Sequence, residues 1–325
     1  MQTLPALPVA KSRERALHTR LMVSHETALE HHLRRLISDI GHAAARMYRD
    51  HGRQGVAEVL AQFPGRLRHV LRPSIATIAN DFAQRLTHAE KALGLFEVKR
   101  FTTLDSAIND WVNVHTGARI DQITASMRAA IQDVIARGIE EGWSETEIAA
   151  AIEDATGGEV AGWRARRIAR TETHTAANAG QYIAADASGL DYTKEWLATE
   201  DHRTRLDHAN ANGQRVPLYA SFILGGLDAS QGGRFVQNSD GSWTPKPLPG
   251  GRSAYRDPSR AELDAGMVAM LYPGDPTAPP EFVVNCRCSC VYAPVLNTPE
   301  PQPDPNNPWD TGNFPGDAPP AIPER

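Results

Sequence analysis

The sequence has 325 residues, of which 41% are hydrophobic, so it is long enough for one or two domains with cores of their own. Charged residues make up 22% and the formal net charge is -5, a balance typical of globular proteins. No apolar run reaches the roughly 18 residues of a membrane span, and the first residues lack the apolar segment of a secretory signal. The sequence therefore predicts a protein without a membrane partner, made in a cytoplasm and kept there or enclosed in something assembled there.

The charge is distributed unevenly along the chain. Residues 1–100 contain 16 lysines and arginines against 9 acidic residues, and 8 of the 12 histidines. This excess has two interpretations, a solvated helix face or a surface that meets nucleic acid or an acidic protein. The composition alone leaves both open.

The first half of the chain has the periodicity of amphipathic helices. Apolar residues recur every three or four positions over 12–50 and again over 103–140, where we expect a break near Gly117. Between them we expect a short helix that ends at Pro64 and a further helix that begins near Pro73.

Two shorter helices follow in this interpretation. Ser144 and Glu147 form a capping box at the start of a helix that ends before residues 157–158. Residues 160–187 continue the helical pattern, and Gly189 is placed as its C-cap.

The pattern changes near residue 190. We predict strands at Tyr192–Ala198, at Gln214–Leu218 after an Asn212-Gly213 turn, at Phe282–Val284 and at Val291–Tyr292. The expected fold class is α+β. We expect a helical region at 1–155, an α+β module at 156–293 and a disordered Pro-rich tail at 294–325, which holds 10 of the 23 prolines.

Several short motifs follow one another in order along the module. They are Ile168-Ala169-Arg170-Thr171-Glu172, Lys194-Glu195-Trp196, Asp201-x-Arg203 followed by His208, Asn212-Gly213, Tyr272-Pro273-Gly274-Asp275-Pro276 and Asn285-Cys286-Arg287-Cys288. Each motif alone is nonspecific, but five or more in this order over about 130 residues form a specific set.

This ordered set resembles the phage Mu F-like head morphogenesis family. The resemblance covers about 40% of the chain. It implies a minor head (capsid) protein of the virion, assembled in the host cytoplasm, with the portal protein, other capsid proteins and packaged DNA as partners. It also marks Arg170, Glu172, Trp196, Asp201, Arg203, Gly213, Asn285 and Arg287 as motif residues.

Zinc is the cofactor to consider. Cys286 and Cys288 can chelate one metal through a bent loop, and the resemblance makes His208 their partner from the other end of the module. The sequence departs from the metal-rich members of the family, since Arg205 and His208 stand where some have C-x-x-C, and no histidine lies at 282–285. A fourth ligand would come from Cys290, His202 or Asp201. The alternative is that the cysteines are small buried residues and that His208 is hydrogen-bonded.

Two enzymatic interpretations have weaker support, and no residue is assigned a catalytic role. Asp201, His202, Asp207 and His208 form a cluster that would suit a metal-dependent hydrolase, such as a nuclease or processing protease. No nucleophile or phosphate-binding loop accompanies them, and Asp201 is expected to cap the following helix.

The other enzymatic interpretation rests on Arg170 and Glu172. An Arg-Thr-Glu string also occurs in ADP-ribosyltransferases, but there it lies on strands. Here the surrounding pattern is helical, which favours an ion pair that joins this helix to Asp201 or Glu195. Arg203, Arg205 and Arg287 are expected to gather, either as a phosphate-binding patch or in pairs with aspartates.

Overall fold

The computed structural model describes residues 11–95, 101–199, 201, 203–225, 235–237, 243–245 and 267–295. Four long helices precede a small β-rich module, as expected for the α+β class. The helices are α1 (Lys11–Ala92), α2 (Phe101–Glu140), α3 (Glu145–Thr156) and α4 (Gly158–Ser188). In the described part of the chain, no helix is long and apolar enough to cross a membrane.

Helix α1 is folded back on itself at Gly52. This glycine has φ 56°, a left-handed conformation that glycine adopts without steric cost, and it divides α1 into two limbs. The limbs are antiparallel, since Arg66 of the second limb lies 3.3 Å from Asp39 of the first and Asp81 lies 2.9 Å from His25.

The expected helix boundary at Pro64 and the expected start at Pro73 are wrong, because both prolines lie inside the second limb. An interior proline costs about 3 kcal/mol through its lost hydrogen bond and its ring. Phe63, Leu67 and Ile75 next to the prolines are completely buried, and their burial outweighs that cost. The expected break at Gly117 is also wrong, since α2 is continuous.

The other helix boundaries are confirmed. Ser144 and Glu147 form both hydrogen bonds of the capping box at the start of α3. Gly189 ends α4 with φ 65°. Helix α4 packs closely on α1 at Gly180. A Cβ at this position would lie 2.1 Å from the carbonyl oxygen of Ala79, so the close approach requires glycine.

The β-rich module is built around a three-stranded antiparallel sheet with the order β2-β1-β7. Its strands are β1 (Tyr192–Leu197), β2 (Arg215–Pro217) and β7 (Ser289–Pro294), and Trp196 of β1 lies opposite Cys290 of β7. Strands β3 (Phe222–Leu224) and β6 (Val268–Met270) form one pair, and β4 (Phe235–Gln237) and β5 (Trp243–Pro245) form another.

Two short helices of the module lie among the described residues. They are α5 (Leu206–Ala211) and α6 (Pro280–Val283). The strand predicted at Phe282–Val284 is wrong, because Pro280 at the first helical position fixes a helical φ there. One hydrophobic cluster extends from α1 to the cysteines of the module, so α4 is shared between the helical layer and the sheet.

Candidate metal centre

Three residues that are distant in sequence meet at one point of the module. The Nδ1 atom of His208, on α5, lies 3.4 Å from Cys288 Sγ and 3.5 Å from Cys286 Sγ. All three side chains are almost completely buried, with 1–2% of their surface exposed. The structure therefore brings together the three residues that the sequence proposed as metal ligands.

The geometry of this cluster suits a tetrahedral metal ion. The three donor atoms all lie within 4.8 Å of one another. In a tetrahedral zinc site, the usual Zn–S and Zn–N bond lengths place S and N about 3.6 Å apart. The two N–S distances agree with that value, so His208, Cys286 and Cys288 could hold one metal ion.

The ring of His208 is fixed by aromatic neighbours. Trp196 meets it edge to face, with ring centres 5.5 Å apart, and Phe282 is stacked on it at 6.4 Å. The Nε2 atom of His208 is buried and has no hydrogen-bond partner among the described residues. The ring position is therefore set by packing and by the two sulfur atoms.

The two thiols of the cluster are not equivalent. A hydrogen bond from Cys288 and the proximity of His208 hold the pKa of the Cys286 thiol well below its usual value, although burial opposes this. Burial and the neighbouring Cys286 raise the pKa of Cys288 well above its usual value. Cys286 is thus the sulfur that carries negative charge most readily, and a metal ion would stabilise both sulfurs as thiolates.

The loop that carries the cysteines has an unusual backbone conformation. Asn285 has φ 60°, and it is the only residue besides glycine with a positive φ among the described residues. Asparagine tolerates this left-handed conformation better than other side chains do. The N–H of Asn285 donates to the hydroxyl of Thr171 at 3.0 Å, so α4 fixes the turn that presents Cys286.

A second residue of α4 holds the other side of the loop. The side-chain amide of Asn178 donates to the carbonyl of Cys288 at 3.1 Å and to that of Pro273 at 2.9 Å, while its oxygen accepts the N–H of Cys290 at 3.2 Å. Asn178 lies between the Ile168–Glu172 and Lys194–Trp196 motifs, and this role was not predicted from the sequence.

Asp201 and Arg287 form a bidentate ion pair near the cluster. Two bonds of 2.5 and 2.6 Å join the guanidinium to the two carboxylate oxygens. Arg203 also contacts this carboxylate, with its guanidinium at 3.4 Å and its N–H at 3.0 Å. The hydrogen bonds from Arg287 lower the pKa of Asp201 well below its usual value.

This arrangement corrects one expectation about Asp201. It does not cap α5, whose N-cap is Arg205, because its oxygens are occupied by Arg287 and by the turn at Arg203. Arg203 and Arg287 gather as expected, in pairs with an aspartate. Arg205 lies apart from that pair and donates to the carbonyl of Val284.

None of the described candidates for a fourth ligand belongs to the cluster. Asp201 is bound to Arg287, and Cys290 lies outside the cluster, where its thiol faces Lys194 and Tyr292. Burial raises the pKa of Cys290 to about 12, so this thiol stays protonated. His202 lies outside the described residues. In the described part of the chain, the cluster contains three protein donors.

Glu172 belongs to a separate buried ionic set in the helical layer. Its carboxylate is fully buried and contacts Arg119 Nε at 2.7 Å and His115 Nε2 at 2.7 Å, both on α2. Burial alone would raise its pKa, but the charge of Arg119 and the contact with His115 outweigh burial and lower the pKa.

The predicted ion pair is therefore present, but the predicted partners are wrong. Arg170 pairs with Glu26 of α1 at 3.0 Å, and neither Asp201 nor Glu195 takes part. The partners of Glu172 were not identified from the sequence, although His115 and Arg119 are four positions apart and so lie on one face of α2.

The remaining motif residues shape the sheet. Trp196 is fully buried and packs on Phe222 as well as on His208. Gly213, with φ 74°, turns the chain into β2, and its N–H donates to the carbonyl of Trp196 at 2.8 Å. Both residues position α5, and with it His208.

The comparison with protein families confirms the resemblance that the ordered motifs indicated. The model of the family described as Phage Mu protein F like protein matches residues 129–291, which is half of the chain. The chain belongs to this family. The matched region includes all three donors of the cluster, and membership indicates a protein of phage head morphogenesis, with capsid-related partners and a place in the virion.

One curated relative is named as an enzyme. The NAD(+)–arginine ADP-ribosyltransferase EFV of Enterococcus faecalis (strain ATCC 700802 / V583) is 37% identical over 98 residues, which are 29% of this chain and 20% of that protein. This chain thus matches about a fifth of the length of that relative. No solved structure matches the chain.

Proposed function

We propose that this Mu F-like protein is a minor head protein whose helical region contacts packaged DNA and the portal, and whose C-terminal module is held together by a zinc ion. Family membership supports the role in the head. The proposed DNA contact is supported by a basic groove on α1. The proposed zinc site is supported by the buried cluster of three donors.

The basic groove lies between the two limbs of α1. It has a volume of about 340 Å³, and its rim carries Arg35 and His32 from the first limb and Arg66 and His69 from the second. One carboxylate, Asp39, lines the same groove and pairs with Arg66 at 3.3 Å. No described carboxylate lies within 4 Å of Arg35, so its guanidinium is available to a phosphate.

Salt-dependent binding to double-stranded DNA tests this contact. Because each phosphate contact releases counterions, we expect Arg35→Gln/Arg66→Gln to weaken binding and to reduce the slope of log K against log salt by about 2. Arg46→Gln/Arg68→Gln is the matched control, since both arginines are exposed on the same helix but do not line the groove. Equal losses in the groove variant and the control would refute a specific role for the groove.

The portal contact needs a separate test. We expect the full chain to co-sediment with the assembled portal protein of its own phage, with or without DNA. Failure to co-sediment under both conditions would contradict the portal contact and leave the DNA contact to be judged by its own experiment.

Zinc would act in this protein as a structural clasp. When bound by His208, Cys286 and Cys288, it would join α5 to the loop before β7 and would balance the charge of the thiolates. Metal-dependent hydrolysis is a weaker proposal, because the three donors are 1–2% exposed and a substrate would not reach the metal. ADP-ribosyl transfer through Glu172 is equally disfavoured, since this carboxylate is fully buried between Arg119 and His115.

A further inference from the structure

One face of α4 carries an exposed aromatic residue beside two arginines. Val160, Trp163, Arg164 and Arg167 recur at three- and four-residue spacing, so they form one stripe at the start of the helix. Trp163 is 56% exposed and Val160 is 41% exposed. The guanidinium of Arg167 lies over the Trp163 ring, 4.3 Å from its centre. We call these four residues the Trp163 face.

The positive charge of this face is not balanced within the described structure. The guanidinium of Arg164 makes one contact at 3.1 Å, to the sulfur of Met127, which is a weak acceptor. No described carboxylate lies within 4 Å of Arg164 or Arg167. Two other arginines of the same helix differ in this respect, since they pair with glutamates of α1: Arg166 with Glu30 and Arg170 with Glu26.

Two further features make the face attractive to anions. Burial and the nearby charge of Arg167 lower the pKa of Arg164, so a carboxylate at this position would relieve an unfavourable environment. The face also lies at the positive end of a 31-residue helix whose N-cap, Gly157, provides no side-chain cap. Glu159 in the first turn offsets part of this charge without pairing with either arginine.

The chain itself contains a segment of complementary chemistry. Residues 296–325 include nine prolines, five acidic residues against one arginine, and the aromatic residues Trp309 and Phe314. Pro-rich segments bind to exposed aromatic rings in an extended form at low entropic cost. Aspartates within such a segment can form charge-assisted hydrogen bonds with guanidinium groups.

The length of the segment matches the distance it would have to cover. The N–H of Val295 donates to the carbonyl of Asp191 at 2.8 Å, which fixes the chain beside the C-terminal end of α4. From Gly189, at the end of α4, the 26 residues back to Trp163 span about 39 Å along the helix. An extended Pro-rich chain advances about 3.1 Å per residue, so about 13 residues cover this distance. Trp309 is 14 residues beyond Val295.

We propose that residues 296–325 bind back along α4 of the same chain, with Trp309 and the neighbouring aspartates on the Trp163 face. The contact would cover the apolar part of the face and would neutralise Arg164 and Arg167. It goes beyond the proposed DNA and zinc contacts, because none of the residues that line the groove or form the metal cluster belongs to the Trp163 face.

Fluorine NMR of the full chain tests this contact. The six tryptophans are labelled with 5-fluorotryptophan, and the signals of Trp163 and Trp309 are assigned with Trp163→Phe and Trp309→Phe. We expect Asp304→Asn/Asp310→Asn/Asp317→Asn to shift the Trp163 signal towards that of an exposed ring. We expect Arg164→Gln/Arg167→Gln to narrow the Trp309 line, because Trp309 would then move more freely.

A matched control and a dilution series decide the outcome. Arg128→Gln/Arg137→Gln removes the same charge from exposed positions of α2 and should change neither signal. Both effects should persist on dilution, since the contact is within one chain. A Trp163 signal insensitive to the tail substitutions would overturn the proposal, as would an effect that disappears on dilution, which would show that the tail of a second copy binds.

Discussion

Two of the buried polar sets among the described residues differ in how their charges are balanced. In the helical layer, Glu172 is fully buried but has a side-chain partner on each oxygen, Arg119 on one and His115 on the other. In the β-rich module, the imidazole nitrogen of His208 contacts the sulfur atoms of Cys286 and Cys288. The first set is neutralised by groups of the chain itself, whereas the second consists of donor atoms that a metal ion would neutralise.

This difference indicates what each set does. A buried carboxylate with two partners joins helices, and its energy depends only on the chain. A buried group of two sulfurs and one imidazole nitrogen has donor atoms at metal-binding distances, and its energy depends on what it binds. We therefore expect the helical layer to be insensitive to metal and the module to depend on it.

Substitution of Glu172 should have the largest effect. Glu172→Ala leaves Arg119 and His115 without their anion, so we expect it to lower the free energy of unfolding by about 3–5 kcal/mol. Urea unfolding measures this, with Glu159→Ala, an exposed glutamate of the same helix, as the control. A loss as small as that of the control would mean that the ionic set does not join α2 to α4.

Metal removal should have a similar effect, but only on the module. At a free zinc concentration about a thousand times the Kd, binding stabilises the folded protein by about 4 kcal/mol, and a chelator removes this. We expect the chelator to lower the Tm of the wild type and of Glu172→Ala by similar amounts, and to leave Cys288→Ser unchanged. Equal sensitivity in Cys288→Ser would contradict the role of this thiol.

His174 lies on α4 between the two sets and should make stability depend on pH. Burial, followed by the charge of His18, lowers its pKa from 6.5 to about 3. His174 is therefore protonated below pH 6.5 in the unfolded chain but only below about pH 3 in the folded chain. The contribution of neutral His174 to the free energy of unfolding is complete above pH 6.5. It is lost as the pH falls, by up to about 1.4 kcal/mol per pH unit.

Unfolding at pH 7 and pH 5 in the presence of chelator isolates this contribution from metal release. We expect His174→Gln to lose less stability between the two pH values than the wild type does, with His32→Gln, an exposed histidine, as the control. Identical pH dependence in all three proteins would show that His174 does not titrate in this way.

The smallest effect is expected at the turn before the cysteines. Asn285→Ala retains the N–H bond to Thr171 but places alanine at φ 60°, which costs about 1 kcal/mol. Asn285→Gly removes the steric cost and should be close to neutral. Both the free energy of unfolding and the metal affinity should be lower in Asn285→Ala than in Asn285→Gly. An alanine variant as stable as the glycine variant would show that the turn at residue 285 is not strained.

The sequence predicted the features that depend on local chemistry. The capping box at Ser144 and the glycine at the end of α4 follow from backbone hydrogen bonding, and both are confirmed. The motif set led to the correct family, and the three proposed ligands meet in the structure.

Several of the wrong predictions depend on contacts between distant segments. Pro64 and Pro73 stay within α1 because packing outweighs their local cost, which no local rule measures. The partners of Arg170 and Glu172 lie 144 and 53 residues or more away, and several acidic and basic residues were equally plausible from charge alone. The role of Asn178 depends on the closing of the cysteine loop onto α4, which is a tertiary feature.

The visible spectrum of the cobalt(II)-loaded full chain shows whether His208, Cys286 and Cys288 bind one metal ion. We expect one cobalt per chain with the intense d–d bands of a tetrahedral site and a thiolate charge-transfer band. These bands should be lost in His208→Ala, Cys286→Ser and Cys288→Ser but retained in Cys290→Ser, whose thiol faces Lys194. Absence of these bands in the wild type, or their loss in Cys290→Ser alone, would show that the three residues do not form the metal site.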